Sequence, residues 1–513
     1  MTDNYVDVLI VGAGLSGIGA ACHLKDKCPS KSFAILEGRK NMGGTWDLFR
    51  YPGIRSDSDM YTLGYNFKPW EEAKAIADGP SILNYIKQTA AEHDIDQHIR
   101  YEHKVTRCEW SSDQALWTVE ANTPAGTVSY SCNMLLMCAG YYSYKGGYSP
   151  KFEGSETFTG QIVHPQKWPE DLDYKNKKVV VIGSGATAVT LIPAMAPDVE
   201  HITMLQRSPS YVASSPSEDA TANFLRKILP AKIAYKIIRW KNVLYSRLVY
   251  RKTRTKPEEV KTQLIDLVRE EMGPDYDVDT HFTPKYNPWD QRLCLVPDNN
   301  LFEALKSGKA SVVTNHISRF SESGIVLQNG ESLEADIIVT ATGLNMEVLG
   351  GIDVLIDGES VDYGNSYTYS GFMFSDTPNL VTTFGYINAS WTLRSDLIHE
   401  WFCRLVNHMD EYGHTMVAPR LRPHEVGMEK LPYVSDFSSS YIQRMVDQLP
   451  KQGPHEPWIN EQNYISERRK VRNRPINDGV LVFSNPHEDS AKNDTSSHPA
   501  VSRAEAAEMT EAG

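Results

Sequence analysis

The chain has 513 residues, 41% hydrophobic and 23% charged, with a net charge of −13. That length suits two or three domains of about 100–200 residues, and the negative balance argues against a nucleic-acid-binding protein. No apolar stretch approaches the roughly 20 residues of a spanning helix.

The opening Met1-Thr2-Asp3-Asn4 lacks a basic region and leads straight into a strand, unlike a signal peptide. Seven cysteines (22, 28, 108, 132, 138, 294 and 403) form no Cys-x-x-Cys pair. This argues against a thiol–disulfide redox centre and a clustered zinc site, so no metal is expected, and it fits a reducing, cytoplasmic setting.

Apolar residues 6–11 predict a buried strand, 14–27 a helix, and Phe33 to Leu36 a second strand ending at Glu37. The first turn of this βαβ unit reads Gly12-Ala13-Gly14-Leu15-Ser16-Gly17. Gly12 permits a tight turn, Gly14 lets a pyrophosphate approach the backbone, and Gly17 permits close helix–sheet contact. The helix N-terminus offers unpaired N–H groups to the phosphates. Glu37, about 20 residues past Gly17, is placed to accept both ribose hydroxyls of a dinucleotide.

The next apolar runs, 134–138 and 178–182, bracket a segment rich in Gly, Tyr and Pro. It contains Phe158-Thr159-Gly160-Gln161-Ile162-Val163-His164-Pro165-Gln166-Lys167-Trp168-Pro169, read as a connection outside any regular element. His164 has no neighbouring Ser, Cys or acid for a triad and no second metal ligand at a typical spacing. It is therefore read with Trp168 as a hinge between domains in preference to a proton-transfer group.

A second βαβ unit starts at 178 and carries Gly183-Ser184-Gly185-Ala186-Thr187-Ala188. Its strand from His201 to Leu205 leads into Gln206-Arg207-Ser208 where an acid would otherwise stand. Arg207 can pair with an extra 2′-phosphate and Ser208 can hydrogen-bond to it, so this site favours NADPH over NADH.

Residues 226–256 hold eleven Lys or Arg and no Asp or Glu, interleaved with Ile, Leu and Trp and preceded by Phe224. They read as a helical insertion whose apolar side packs on the body of the protein. A weak membrane-surface or partner contact is the alternative. Ala335 to Thr340 restores a buried strand and runs into Ala341-Thr342-Gly343, and Asn388-Ala389-Ser390-Trp391 opens a late helical stretch. Trp391 suits either a substrate pocket or the core.

The expected class is α/β, with two Rossmann-like dinucleotide-binding domains and a helical insertion. The first domain is split between 1–145 and 344–487. The second is split between 146–215, which includes the linker, and 291–343. The insertion spans 216–290, and 488–513 is a flexible tail.

Two long patterns add a resemblance. Phe158, Gly160, His164, Trp168 and Pro169 match the Phe-x-Gly-x-x-x-His-x-x-x-Trp-Pro fingerprint of type I Baeyer–Villiger monooxygenases. Gly43-Gly44-x-Trp46-x-x-x-x-Tyr51-Pro52-Gly53-x-x-x-Asp57 resembles that family's second signature. The likeness covers about residues 5–480 and is nearest to the subgroup of the mycobacterial thioamide-activating monooxygenase.

The resemblance implies FAD at the first site and NADPH at the second, with O2 activated as a flavin C4a-peroxide. Ketones would become esters or lactones, and sulfides would be oxidised as well. An N- or S-oxygenating enzyme without strong ketone activity, or an uncoupled NADPH oxidase, is the alternative. The family's catalytic arginine falls on Arg292, in Asn287-Pro288-Trp289-Asp290-Gln291-Arg292-Leu293-Cys294, with Asp57 as its partner beside the flavin. Gly44, Thr45, Trp46 and Tyr51 would shape the flavin pocket. The family usually has Lys where this chain has Gln291, so NADPH preference would rest more on Arg207.

Overall fold

Apolar strand residues assemble two parallel-centred sheets in the computed structural model, which describes residues 4–291, 293–434 and 439–486. In the first sheet Tyr5–Val11, whose last four residues are buried, pairs in parallel with Phe33–Leu36 and with Gly126–Met137. Gly126–Met137 is shared along its length. Its first part pairs antiparallel with Leu116–Thr123, and its last residues pair in parallel with Leu380–Thr382. The chain therefore re-enters this sheet late, through Leu380–Thr382 and through Asp353–Ile356, which pairs with Lys104–Ser111.

Ala310–Thr314, His201–Gln206, Lys178–Ile182, Ile337–Thr340 and Gln161–Val163 form the second sheet in that order, all parallel. The last strand corrects the sequence reading. The hinge fingerprint is not wholly irregular, because Gln161–Val163 is an edge strand of this sheet and Pro165–Lys167 is a 3-10 turn. Three residues between Gly160 and Pro165 are too few to leave a periodic signal.

Helix Leu15–Lys27 packs under the first sheet against the late helix Trp391–Tyr412. The small residues Gly17, Gly19, Ala20 and Ala21 allow this approach, and a Cβ at Gly19 would lie 2.8 Å from the Tyr65 ring. Between 220 and 281 the chain is helical, as expected for the insertion, and Ala231–Thr255 is its longest helix. One face of that helix is buried through Ala234, Tyr235, Ile238, Arg239 and Val243. Arg239 donates to the carbonyls of Tyr61 and Gly64, both at 2.8 Å, and pairs with Asp396. The buried guanidinium thus satisfies the free carbonyls at the end of helix Met60–Leu63.

A second buried ion pair joins helix Trp391–Tyr412 to the C-terminal region. Arg394 is fully buried and donates to Glu467 from Nε and Nη2 at 3.1 and 2.9 Å, while Tyr386 donates its hydroxyl to the same carboxylate. Removing one partner of such a pair leaves an uncompensated charge, which costs about 3–5 kcal/mol. Glu467→Gln is expected to destabilise the protein by about that amount in denaturant titration. A loss of under about 1 kcal/mol would show that the pair is not a structural anchor.

Candidate active site

Val11 delivers the chain into a turn that admits only glycine. Gly12 has φ +102°, and a Cβ there would lie 2.6 Å from the Cys138 carbonyl oxygen. A Cβ at Gly17 would lie 1.9 Å from the Gly12 carbonyl oxygen, which locks the helix start against the turn. The Glu37 carboxylate is buried and closes this loop from the next strand. It accepts from the Ala13 N–H at 2.8 Å and from the Arg39 N–H at 2.9 Å. Burial raises its pKa, and the two backbone bonds and the Arg39 charge oppose that rise. Glu37 still faces a groove of about 550 Å³ and keeps lone pairs for a ligand.

The same groove is lined by Gly12, Gly14, Gly44, Thr45, Trp46, Tyr51, Asp57, Ala186, Thr187 and Trp391. Residues of both glycine-rich loops therefore meet in one cavity. Their convergence depends on the segment from Gly43 to Asp57. Gly43 donates to the Ala13 carbonyl at 2.9 Å, and Gly44, with φ +54°, sits so near that its Cβ would lie 3.0 Å from the Gly14 Cα. Asp47 is buried between Arg39 and Arg50, 2.7 Å from each.

The chain then leaves the first unit, and Phe49 and Tyr51 bury in the core of the second. Gly53 takes φ +76° against helix Ala186–Met195, where a Cβ would lie 2.7 Å from the Ala194 Cβ. Arg55 donates to the Thr190 hydroxyl and, at 2.7 Å, to the Leu295 carbonyl. Tyr51 shares a hydrogen bond with Thr187, and burial, with the Asp57 charge adding, pushes its hydroxyl up to about 12.

In the second loop Gly183 has φ +134°, and a Cβ would lie 2.5 Å from the Ala341 carbonyl oxygen. Gly185 differs, because beyond its own chain neighbours no protein atom lies within 4 Å of its Cβ position. Space at a helix N-terminus, bounded by free N–H groups, is what a phosphate needs. The Ser184 hydroxyl donates to the Ser208 carbonyl at 3.2 Å and shares a bond with the Ser210 hydroxyl at 2.9 Å. Gln206 turns inward to the His281 carbonyl and the Thr314 hydroxyl, both at 2.8 Å, whereas Arg207 and Ser208 are exposed just past the strand end.

Arg292 lies outside the described residues. The loop before it is tied down by Asp290, which pairs with Arg254 at 2.7 Å and accepts from the Asn287 N–H at 3.2 Å. Gln291 makes a backbone bridge with Pro288.

The hinge residues stand apart from the groove lining. Phe158 is buried edge-on to Phe320, Gly160 passes the Asp336 carbonyl where a Cβ would lie 2.2 Å away, and Trp168 is half-buried on the second core. Pro169 is exposed. His164 Nε2 donates to the Gly343 carbonyl at 3.1 Å, and its Nδ1 accepts from the Gln166 N–H at 3.2 Å. These partners require a neutral ring with its proton on Nε2.

Sequence reading missed the carboxylate clamp of Asp47 and the anchoring of Trp391. The Trp391 indole donates to the Ser16 hydroxyl of the first loop at 2.8 Å and stacks on Tyr141 with centroids 5.2 Å apart. The partners of Trp391 lie hundreds of positions away, so no local signal carries them, whereas Arg39 and Arg50 flank Asp47 closely and only folding shows that all three meet.

A model described as flavin-binding monooxygenase-like matches residues 66–349, and one described as an NAD(P)-binding Rossmann-like domain matches residues 10–75. Over 482 residues the chain is 51% identical to the FAD-containing monooxygenase EthA of Mycobacterium tuberculosis, covering 94% of this chain and 98% of that protein. The chain belongs to the flavin-binding monooxygenase family. It is also 49% identical over 485 residues to EthA of Mycolicibacterium smegmatis, covering 94% and 98% of the two chains. Its fold is similar to that of an oxidized steroid monooxygenase bound to NADP, with a TM-score of 0.76 at 22% identity over 93% of this chain and 99% of the other.

The protein is thus an FAD-containing, NADPH-dependent monooxygenase on a two-domain dinucleotide-binding fold. The glycine turns, the Glu37 carboxylate and the open space at Gly185 fit the two dinucleotides.

Burial lowers the pKa of His164 below the usual histidine value of about 6.5. The stability that its neutral bridge contributes is therefore complete above a pH of about 6.5 and is lost as pH falls through the folded-state pKa. His164→Gln should lower Tm at a pH of about 7.5 and show a smaller further fall than the native chain down to a pH of about 5. Equal pH slopes in thermal melts would refute this assignment.

Proposed function

We propose that the enzyme transfers one oxygen atom from O2 to a sulfur centre, in thioethers or thioamides, with ketones as a second substrate class. The near-full-length identity to the EthA monooxygenases carries the sulfur reading, together with the resemblance of the whole chain to the thioamide-activating subgroup. A sulfur lone pair is a soft nucleophile, so its oxygenation needs only access to an electrophilic oxygen in a dry site. Trp46, Leu63, Tyr386 and Trp391 supply apolar groove lining for such access. The ketone reading rests on the Phe158–Pro169 and Gly43–Asp57 signatures. That reaction also requires a fixed cation beside the developing alkoxide.

Within this reading, Gly12, Gly14, Gly17 and the N–H groups that follow hold the FAD pyrophosphate, and Glu37 accepts its ribose hydroxyls. Gly183, Gly185, Ala186 and Thr187 hold the NADPH pyrophosphate, while Arg207 and Ser208 take the 2′-phosphate. FAD, once reduced by NADPH, is the group at which O2 is activated. Gly44, Thr45, Trp46 and Tyr51 shape its surroundings and limit water. Arg292, assigned from the family resemblance of the 287–294 loop alone, supplies the positive charge for ketone oxygenation, and Asp57 holds it. Trp391, fixed by Ser16 and Tyr141, forms part of the substrate wall. Gln291 leaves the 2′-phosphate without the family's lysine.

The decisive experiment incubates the FAD-loaded enzyme aerobically with NADPH and thioethers, thioamides and linear, cyclic or aryl ketones, with products identified by mass. S-oxides should form fastest, with slower ester or lactone formation. Esters without S-oxides would overturn the sulfur reading, and hydrogen peroxide alone would overturn both. Arg292→Ala should cut ester formation by about 100-fold or more, with flavin reduction retained.

A charge-assisted contact of about 1.5–3 kcal/mol corresponds to about 10- to 100-fold in affinity. Arg207→Ala should therefore lower the ratio of kcat/KM for NADPH to that for NADH by about that factor. An unchanged ratio would remove Arg207 from the 2′-phosphate site.

A further inference from the structure

The function leaves the basic run at 226–256 without a role, and its outer surface is unlike the rest of this acidic chain. The run covers the end of helix Ala220–Ile228 and all of helix Ala231–Thr255. Ile233, Ile237, Trp240, Leu244 and Leu248 are all exposed, Leu248 at 65%. At about 100° per residue they fall on one stripe, opposite the face that buries Ala234, Tyr235, Ile238 and Arg239. Phe224 and Ile228 of the preceding helix, 61% and 60% exposed, extend the apolar surface.

Several cations of the run are already engaged. Lys241 pairs with Asp219, Lys252 and Lys256 with Glu259, Arg254 with Asp290, and Arg239 with Asp396. Lys227, Lys232, Lys236, Arg247 and Arg251 are exposed, and among the described residues they meet no carboxylate.

We infer that the outer face of these two helices is a docking surface for an anionic phospholipid bilayer. An apolar stripe bordered by cations without carboxylate partners matches the boundary between acyl chains and negatively charged headgroups. The exposed Tyr245 presents an apolar ring and a polar tip, as suits that boundary, and Trp240, 37% exposed, holds a further cation, Arg468, 5.1 Å from its ring centroid. The exposed cations without carboxylate partners are spread along both helices, from Lys227 to Arg251. That geometry fits a planar, laterally mobile sheet of anions better than a protein partner with fixed carboxylates. No described helix is long and apolar enough to cross a membrane, so the association lies in the plane of the surface. On its inner side the same helix packs Val243 against Tyr386, a lining residue of the groove. The docking face and the groove wall therefore share one helix.

The test is cosedimentation of the FAD-loaded, full-length enzyme with vesicles of phosphatidylcholine, alone or with about 30% phosphatidylglycerol. The enzyme should pellet with the anionic vesicles, and at least about tenfold less with neutral vesicles or in about 0.5 M NaCl. The double variant Leu244→Ser/Leu248→Ser and the triple variant Lys232→Glu/Lys236→Glu/Arg247→Glu should each lower binding by a similar factor, with FAD content and Tm retained. If a variant loses FAD, the lipid and salt dependence of the native chain decides alone. Failure to pellet with anionic vesicles, or equal pelleting with both lipids, overturns the proposal. A native dimer that Leu244→Ser dissociates in light scattering, without vesicle binding, overturns it in favour of a second copy of this chain. Product formation is not a readout, so this result and the outcome of the substrate panel stand independently.

Discussion

The close backbone contact between Gly14 and Gly44 is the constraint on which the groove depends. The two glycines come from different parts of the first unit, and a Cβ on Gly44 would press into the Gly14 Cα at 3.0 Å. From this contact the chain runs through buried Asp47 to Phe49 and Tyr51, which belong to the second unit's core, and to Gly53, seated on the second unit's helix. One continuous segment is thereby bonded to both nucleotide loops. Asp57 and Thr187 share a cavity with Gly12 because this segment spans the distance, not because the two sheets touch there.

Buried charge is handled in the same way throughout. Glu37 is held by two backbone N–H groups, Asp47 by two arginines, Arg239 by carbonyls and Asp396, and Arg394 by Glu467. Each pairing satisfies a group that burial alone would drive toward its neutral form. The pairs Arg239–Asp396 and Arg394–Glu467 also join segments distant in the chain, so these ions fix relative position as well as charge. The basic helix contrasts with them, since its inner arginine is fully partnered while several outer cations stand in solvent beside exposed apolar side chains.

Much of the frame was legible in the residues. The two glycine-rich turns, each between an apolar run and a helix, lie where the sequence places them, and the late helix opens at Trp391. Leu116–Thr123 alternates buried Trp117, Val119 and Ala121 with more exposed residues and was legible but not read, whereas the small sheet of Ile317–Ser321, Gly324–Leu327 and Ser332–Glu334 carried too little local pattern to be read. The hinge strand Gln161–Val163 was hidden for the same reason, because its strand character comes from pairing with Ile337–Val339. His164 is read from the sequence as a hinge residue. Its tautomer, however, depends on Gly343 and Gln166 and is visible only in space.

The sequence by itself determined the two nucleotide turns, the acid that ends one strand and the arginine that follows the other. Those features are contiguous, and their chemistry follows from φ angles, helix N-termini and charge within about 30 residues. Only the tertiary structure decided that the first turn and the start of helix Ala186–Met195 line one groove, that Ser16 holds Trp391, and that one face of the basic helix stays in solvent. Those outcomes depend on partners far apart in the chain, because burial and hydrogen bonding are settled by what packs against a residue and not by what precedes it.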